Sequence, residues 1–211
     1  MSTPSLARRE RHALCDLALA LGAQAPTLCG DWTVEELVAH LLVRETRPLG
    51  ALGILVPALS GITEREMASL ARRGLPAMVS ALRDPRLTPF ALPPVERLAN
   101  TLEYFVHHED LRRAQPGWEP RELDQRDQTS LWSAIRVAGR GLVRPAGVPV
   151  VARRSDTGAT ATLRGGDQPV EVTGLPSEIV LLLYGRRENR GLSLDGPKDQ
   201  VARLRWSDLG I

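Results

Sequence analysis

The stretch Pro145-Ala146-Gly147-Val148-Pro149-Val150-Val151-Ala152 is where the texture of this chain changes, and the fold class turns on it. Downstream, side chains alternate: Val148, Val150 and Ala152, then Thr160, Thr162 and Arg164, then Val170 and Val172. A period of two places alternate side chains on opposite faces, as a half-buried strand requires. Gly158, Gly165-Gly166 and Gly174 punctuate these runs as turns. Pro176-Ser177 then opens a helix predicted to run from Glu178 to Arg187.

Upstream of the change the period is helical. Leu14, Leu17, Ala18 and Leu21 recur at i, i+3, i+4 and i+7, which predicts a helix from about Thr3 to Leu21, ended by Gly22. Pro26 to Trp32 reads as a connector. Thr33-Val34-Glu35-Glu36 is a capping box, so a second helix starts at Thr33, carries Val34, Leu37, Val38, Leu41 and Leu42 on one face, and stops before Pro48. Leu49 to Gly61, apolar with three glycines and one proline, reads as a buried loop or a broken helix. Helices follow over Thr63 to Arg73 and Leu75 to Leu82, then a proline-rich loop over Pro85 to Pro94. Pro93-Pro94 opens a long helix to Arg113, halted by Gln115-Pro116-Gly117, and another spans Asp127 to Val143. The fold expected is α+β: an N-terminal four-helix bundle over residues 1–146 and a small C-terminal α+β domain over 147–211.

Composition limits the function classes. The 211 residues carry 27 basic and 25 acidic side chains, a net charge of +2, too balanced to argue for nucleic-acid binding. Lys198 is the single lysine, and the arginine, alanine, glycine and proline content reads as the codon bias of a GC-rich genome. Cys15 and Cys29 cannot build a disulfide framework and read as small core residues. A bilayer span needs about 20 predominantly apolar residues; the longest candidate, Val38 to Ser60, is broken by His40, Arg44, Glu45, Arg47 and Pro48. Arg8-Arg9 before an Ala/Leu stretch mimics a signal peptide, but Asp16 and the helical spacing argue for a helix, so the chain is expected to be cytoplasmic.

The chemistry concentrates in Asn100-Thr101-Leu102-Glu103-Tyr104-Phe105-Val106-His107-His108-Glu109-Asp110. On a helix with 3.6 residues per turn, Val95, Leu98, Ala99, Leu102 and Val106 form an apolar stripe. Glu103, His107 and Asp110 line its edge. Glu103 and His107 stand at i and i+4, so their side chains meet over one turn. His108 points the other way, toward solvent or a partner surface, and the adjacent histidines are not a chelating pair. His40 sits at the edge of the Leu37/Leu41 face of the second helix. If these two helix edges face one another, His40, Glu103 and His107 make a two-histidine, one-carboxylate metal site with open positions. The plainer reading is a surface Glu–His pair beside a satisfied core histidine. Asp110 fits either an acceptor for His107 or a surface acid; Arg44, one turn after His40, fits either an anion ligand or a salt bridge. There is no HExxH, nucleophile elbow or glycine-rich phosphate loop.

Leu28-Cys29-Gly30-Asp31-Trp32-Thr33 followed by Glu36-Leu37-Val38-Ala39-His40-Leu41 resembles the segment that carries the first metal histidine in the DinB-like superfamily. More narrowly it resembles the mycothiol-dependent maleylpyruvate isomerase group of actinobacteria. Glu103-Tyr104-Phe105-Val106-His107-His108-Glu109-Asp110 resembles that group's second motif, and the strands with Leu175 to Arg186 resemble its small C-terminal domain. Continuation through Arg112-Arg113-Ala114-Gln115-Pro116-Gly117-Trp118 resembles a subfamily described only as metal-binding, so the isomerase's own substrate does not transfer. The resemblance implies a DinB-like bundle with metal ligands His40, Glu103 and His107. The metal it implies is zinc.

It further implies a transferase or isomerase that uses a low-molecular-weight thiol such as mycothiol, with Arg186, and as a second candidate Arg44, taking an anionic group of thiol or substrate. Arg186 also fits simple capping of a helix C-terminus. Arg44, Asp110 and Arg186 are the catalytic candidates. The alternatives are a non-catalytic metal-binding or regulatory module, and a metal-dependent hydrolase with Asp110 or Glu109 as base. The expected partners are a small-molecule thiol and an electrophilic substrate, without nucleic acid or membrane, and with a homodimer left open.

Overall fold

Ser5 starts the first helix: its hydroxyl accepts a hydrogen bond from the Arg8 amide, and α1 (Leu6–Leu21) closes at Gly22, whose φ of 85° suits glycine. The computed structural model describes residues 4–84 and 100–210. Thr33 caps α2 (Val34–Thr46) with the reciprocal Thr33–Glu36 box that the sequence predicts. The apolar, glycine-bearing stretch after Pro48 is a broken helix: α3 (Pro48–Leu55), a 3-10 turn (Pro57–Leu59), then α4 (Ser60–Ala71). Gly74 leads into α5 (Leu75–Arg83), and α6 covers Thr101–Arg113. The expected loop over Pro85 to Pro94, the helix start at Pro93-Pro94, and the stripe positions Val95, Leu98 and Ala99 lie outside the described residues.

The chain divides into two compact units, Met1–Glu119 and Pro120–Ile211. In the first, α1 packs on α5 and α6, and α2 packs on α4 and α5. Helices α1, α2, α4, α5 and α6 share one core that includes Leu14, Leu41, Leu70, Met78 and Tyr104. Removing such side chains from water is the main drive for the bundle. A polar knot lies inside it. Arg11 on α1 makes a two-pronged contact with Glu45 on α2, at 2.7 and 2.6 Å, and Tyr104 on α6 donates its hydroxyl proton to the same carboxylate at 2.7 Å. Arg11 also donates to the Leu82 carbonyl at 2.9 Å and lies 4.3 Å above the Tyr104 ring. Charges this deep persist because each is paired.

The second unit opens with α7 (Gln125–Leu142), capped by Asp124, whose carboxylate accepts from the Asp127 amide at 2.8 Å. The sheet order is β2-β1-β3-β4. Strand β1 (Val150–Arg154) runs antiparallel to β2 (Thr160–Arg164) and parallel to β3 (Val170–Gly174), which pairs antiparallel with β4 (Ser193–Asp195). Helices α8 (Pro176–Leu183) and α9 (Lys198–Trp206) complete the unit.

Fold class is therefore the expected one, α+β. The sequence reading divides the chain at residue 146, whereas the compact units group α7 with the sheet. The reason is packing. A Cβ on Gly139 of α7 would lie 2.8 Å from a Leu163 methyl of β2, so glycine lets helix and strand close together. Gln128 of α7 donates to the Ser177 hydroxyl at 3.2 Å and accepts from the Ser177 amide at 3.0 Å, which fixes α7 to the start of α8. Helix α8 ends at Leu183 rather than Arg187, because the chain turns at Gly185 with φ 76°. Strand β4, three residues long, and α9, with only Leu204 buried among the described residues, carry almost no periodic signal. Among the described residues no helix is long and apolar enough to cross a membrane.

Candidate metal centre

Three helical side chains converge in the first unit. His40, on the second turn of α2, is buried. Glu103 and His107 rise from successive turns of α6. Glu103 Oε1 lies 3.7 Å from His40 Nε2 and 3.3 Å from His107 Nε2. One potential ligand atom from each of the three lies within 4.8 Å of the other two. The imidazole rings stand 5.6 Å apart at 70°, and Trp32 leans on His40 at 5.0 Å. Donors bound at about 2.0–2.2 Å to a tetrahedral ion are separated by roughly 3.3–3.6 Å. The two spacings to Glu103 lie at or close to that range and the third is within 4.8 Å, and two imidazoles with a carboxylate suit a divalent ion of the zinc type.

The groups around this triangle prepare it. His107 Nδ1 donates to Asp110 Oδ2 at 2.9 Å, which leaves Nε2 facing Glu103. A carboxylate holding the far nitrogen fixes the ring and its tautomer, the usual support for a metal-binding histidine. Asp110 is fully buried and also accepts from the Cys29 thiol at 3.0 Å. Cys29 Sγ lies 3.6 Å from His107 Nδ1, so Cys29, His107 and Asp110 form a second close set of potential ligands. The connector is held in place locally: Thr27 donates to the Trp32 carbonyl at 2.8 Å and accepts from the Cys29 amide at 3.1 Å, while the Leu28 amide reaches the Asp110 carbonyl at 3.2 Å.

Electrostatics keep these groups in distinct states. Burial lowers the His40 imidazole below the usual histidine range, and its Nδ1 has no hydrogen-bond partner among the described residues, so this ring is neutral and ready to ligate. Burial alone would raise the Glu103 carboxyl. The facing imidazoles of His107 and His40, with the charges of His107 and Arg44, hold it well below the usual carboxylate range instead. Burial would likewise lower His107, but its contacts with Asp110, Cys29 and Glu103 carry it well above the ordinary value. A cation must therefore displace a proton from His107. Metal uptake at neutral pH is expected to release about one proton and to weaken as pH falls. Calorimetry in two buffers of different ionisation heat reads this directly; a binding heat independent of buffer would refute it.

Arg44 points at the same carboxylate: its Nε is 3.6 Å from Glu103 Oε1 and its guanidinium donates to Asn100 at 3.0 Å. Arg186 lies in the second unit, where it donates to the Tyr184 carbonyl at 2.6 Å. Glu109 is not at the triangle. It is buried and accepts from Arg112 at 2.9 Å and from Arg113.

Two expectations need correction. His108 does not face solvent: it is buried, and its Nδ1 meets Glu10 of α1 at 2.7 Å. The i+1 position of a helix enclosed on several sides faces another helix, not water. Cys15 is a core thiol, pushed up to about 11 by burial, but Cys29 is only partly buried and touches Asp110 and His107. Its signals in the sequence are its place in the short connector between two helices and in the Leu28-Cys29-Gly30-Asp31-Trp32-Thr33 segment. His108→Ala is expected to leave metal content unchanged and to lower stability by about 1–3 kcal/mol, since the buried His108–Glu10 contact is lost. Elemental analysis together with chemical denaturation checks both halves.

No protein-family model matches the chain, and no curated protein matches it significantly. Solved structures do. The crystal structure of a mycothiol-dependent maleylpyruvate isomerase superposes with a TM-score of 0.60 at 15% identity over 90% of each chain. A histidine-to-alanine mutant of that enzyme gives 0.56 at 16% identity, again over 90% of each chain. The architecture is thus that of this isomerase fold, with both units included in the match.

Proposed function

We propose that this chain binds a divalent metal, zinc in the first instance, at His40, Glu103 and His107, and uses it with a low-molecular-weight thiol such as mycothiol to carry out a transfer or isomerisation. One observation carries the reading: three ligating groups from two separate helices meet on the architecture of a mycothiol-dependent isomerase. When bound, a divalent ion lowers the pKa of a thiol at its open position, so that a thiolate nucleophile persists at neutral pH.

The chain's own residues supply the rest. His40 and His107 bind as neutral imidazoles and Glu103 as a carboxylate. Asp110 keeps the His107 proton at Nδ1, away from the ligating nitrogen. Arg44 lies against the same Glu103 oxygen that faces the two imidazoles, its Nε at 3.6 Å. A hydrolase reading needs a free base at the site. Asp110 already accepts from His107 and Cys29, and Glu109 from two arginines, which favours thiol chemistry.

Cobalt-substituted protein titrated with mycothiol is expected to develop a thiolate-to-metal absorption in the near ultraviolet. Unchanged cobalt bands in a protein that holds its full metal complement would overturn the thiol role and leave a metal-binding module.

A further inference from the structure

The second unit holds a cavity of about 330 Å³ between the end of α8, β4, α9 and the segment after it. That volume is at the small end of what organic ligands occupy. Its composition is two-sided. Leu182, Leu192, Leu194 and Leu209 supply apolar wall. Arg186, Arg187 and Arg205 supply cationic groups, and no aspartate or glutamate is among the described residues that line it. Trp206 lies at its edge with 67% of its surface exposed, an unusual cost for so large an apolar side chain in water. The Arg187 guanidinium stacks over that indole at 4.5 Å. The stacking orders the pair in advance, leaving a guanidinium that can donate to an anion beside a flat apolar ring.

We propose that this cavity is a binding site for a small organic carboxylate with a flat apolar body. Arg187 and Arg205 engage the carboxylate, and Trp206 with the leucines covers the ring. Arg187 and Arg205, with no carboxylate among the described residues lining the cavity, make it favourable for an anion. A carboxylate matches a planar guanidinium in two parallel hydrogen bonds. Arg186 contributes charge, although one of its nitrogens is already committed to the Tyr184 carbonyl. Every lining residue belongs to the second unit, so the inference stands independently of the metal centre.

The test uses the full chain and 2-naphthoate as probe, followed by tryptophan fluorescence and by calorimetry. The expected result is saturable one-to-one binding with quenching that is lost in Trp206→Phe. Arg205→Gln and Arg187→Gln should each weaken binding tenfold or more, and the neutral analogue 2-naphthamide should bind at least tenfold more weakly. All three positions are solvent-exposed or at the cavity edge, and thermal melts equal to the parent establish that the variants fold. Equal binding of naphthoate and naphthamide would overturn the proposal, leaving only an apolar surface. So would arginine variants that bind like the parent, or the absence of saturable binding at millimolar probe. Binding abolished by stripping metal with a chelator would also overturn it, by placing the anion at the metal centre instead.

Discussion

Purified His40→Ala protein is expected to contain no stoichiometric metal after exposure to zinc and gel filtration, whereas the parent retains one ion per chain. Loss of a group that merely supports a metal ligand costs about 10–100-fold in affinity, and loss of a ligand itself costs more. The remaining pair, Glu103 and His107, comes from successive turns of one helix and can hold an ion from one side only. Because His40 Nδ1 lacks a hydrogen-bond partner among the described residues, removing the ring strands no polar group at that atom. The variant should therefore fold, and a far-ultraviolet spectrum like the parent's separates lost ligation from lost structure. A full metal complement in His40→Ala would remove His40 from the site and with it the metal reading.

Glu45→Ala is expected to cause the largest loss of stability. The Glu45 carboxylate accepts two hydrogen bonds from Arg11 and one from Tyr104, and both Arg11 and Glu45 are buried. Removing it leaves a buried guanidinium without its counter-charge, which costs about 3–5 kcal/mol. For a chain of this size that corresponds to a fall of roughly 10 °C in melting temperature. The companion double variant Arg11→Met with Glu45→Leu should recover much of the loss, since apolar side chains of similar volume replace a buried pair at little net cost. Differential scanning calorimetry of Arg11→Met, Glu45→Leu and the double variant gives the coupling. A Glu45→Ala melt within a degree or two of the parent would show that the ion pair does not hold the bundle together.

Comparison of these two predictions shows how differently the two clusters were visible. His40, Glu103 and His107 could be nominated from one dimension, because an i, i+4 pair and an edge histidine are properties of single helices. The Arg11–Glu45–Tyr104 cluster joins positions 34 and 59 residues apart, and nothing in the local pattern of any of the three helices announces it. Cys29 is a similar case. As a lone thiol in a connector it reads as filler, and only the hydrogen bonds that tie the connector to itself and to α6 bring it against Asp110. His108 failed for the opposite reason: helical phase correctly turned it away from Glu103, but phase does not say whether the far side of a helix meets water or another helix.

By itself the sequence determined the helix stop at Gly22 and the helix starts at Thr33 and Pro176, the strand periodicity after Gly147, and hence an α+β chain with a carboxylate and an imidazole on one helical edge. These are consequences of local backbone sterics, capping and side-chain period, which act within a few residues. Only the tertiary structure decided that α7 belongs with the sheet, that His40 reaches across to α6, that Asp110 is shared by His107 and Cys29, and that three arginines surround a cavity in the second unit. Those depend on which surfaces exclude water together, and close packing between segments distant in the chain leaves no period for a sequence to display.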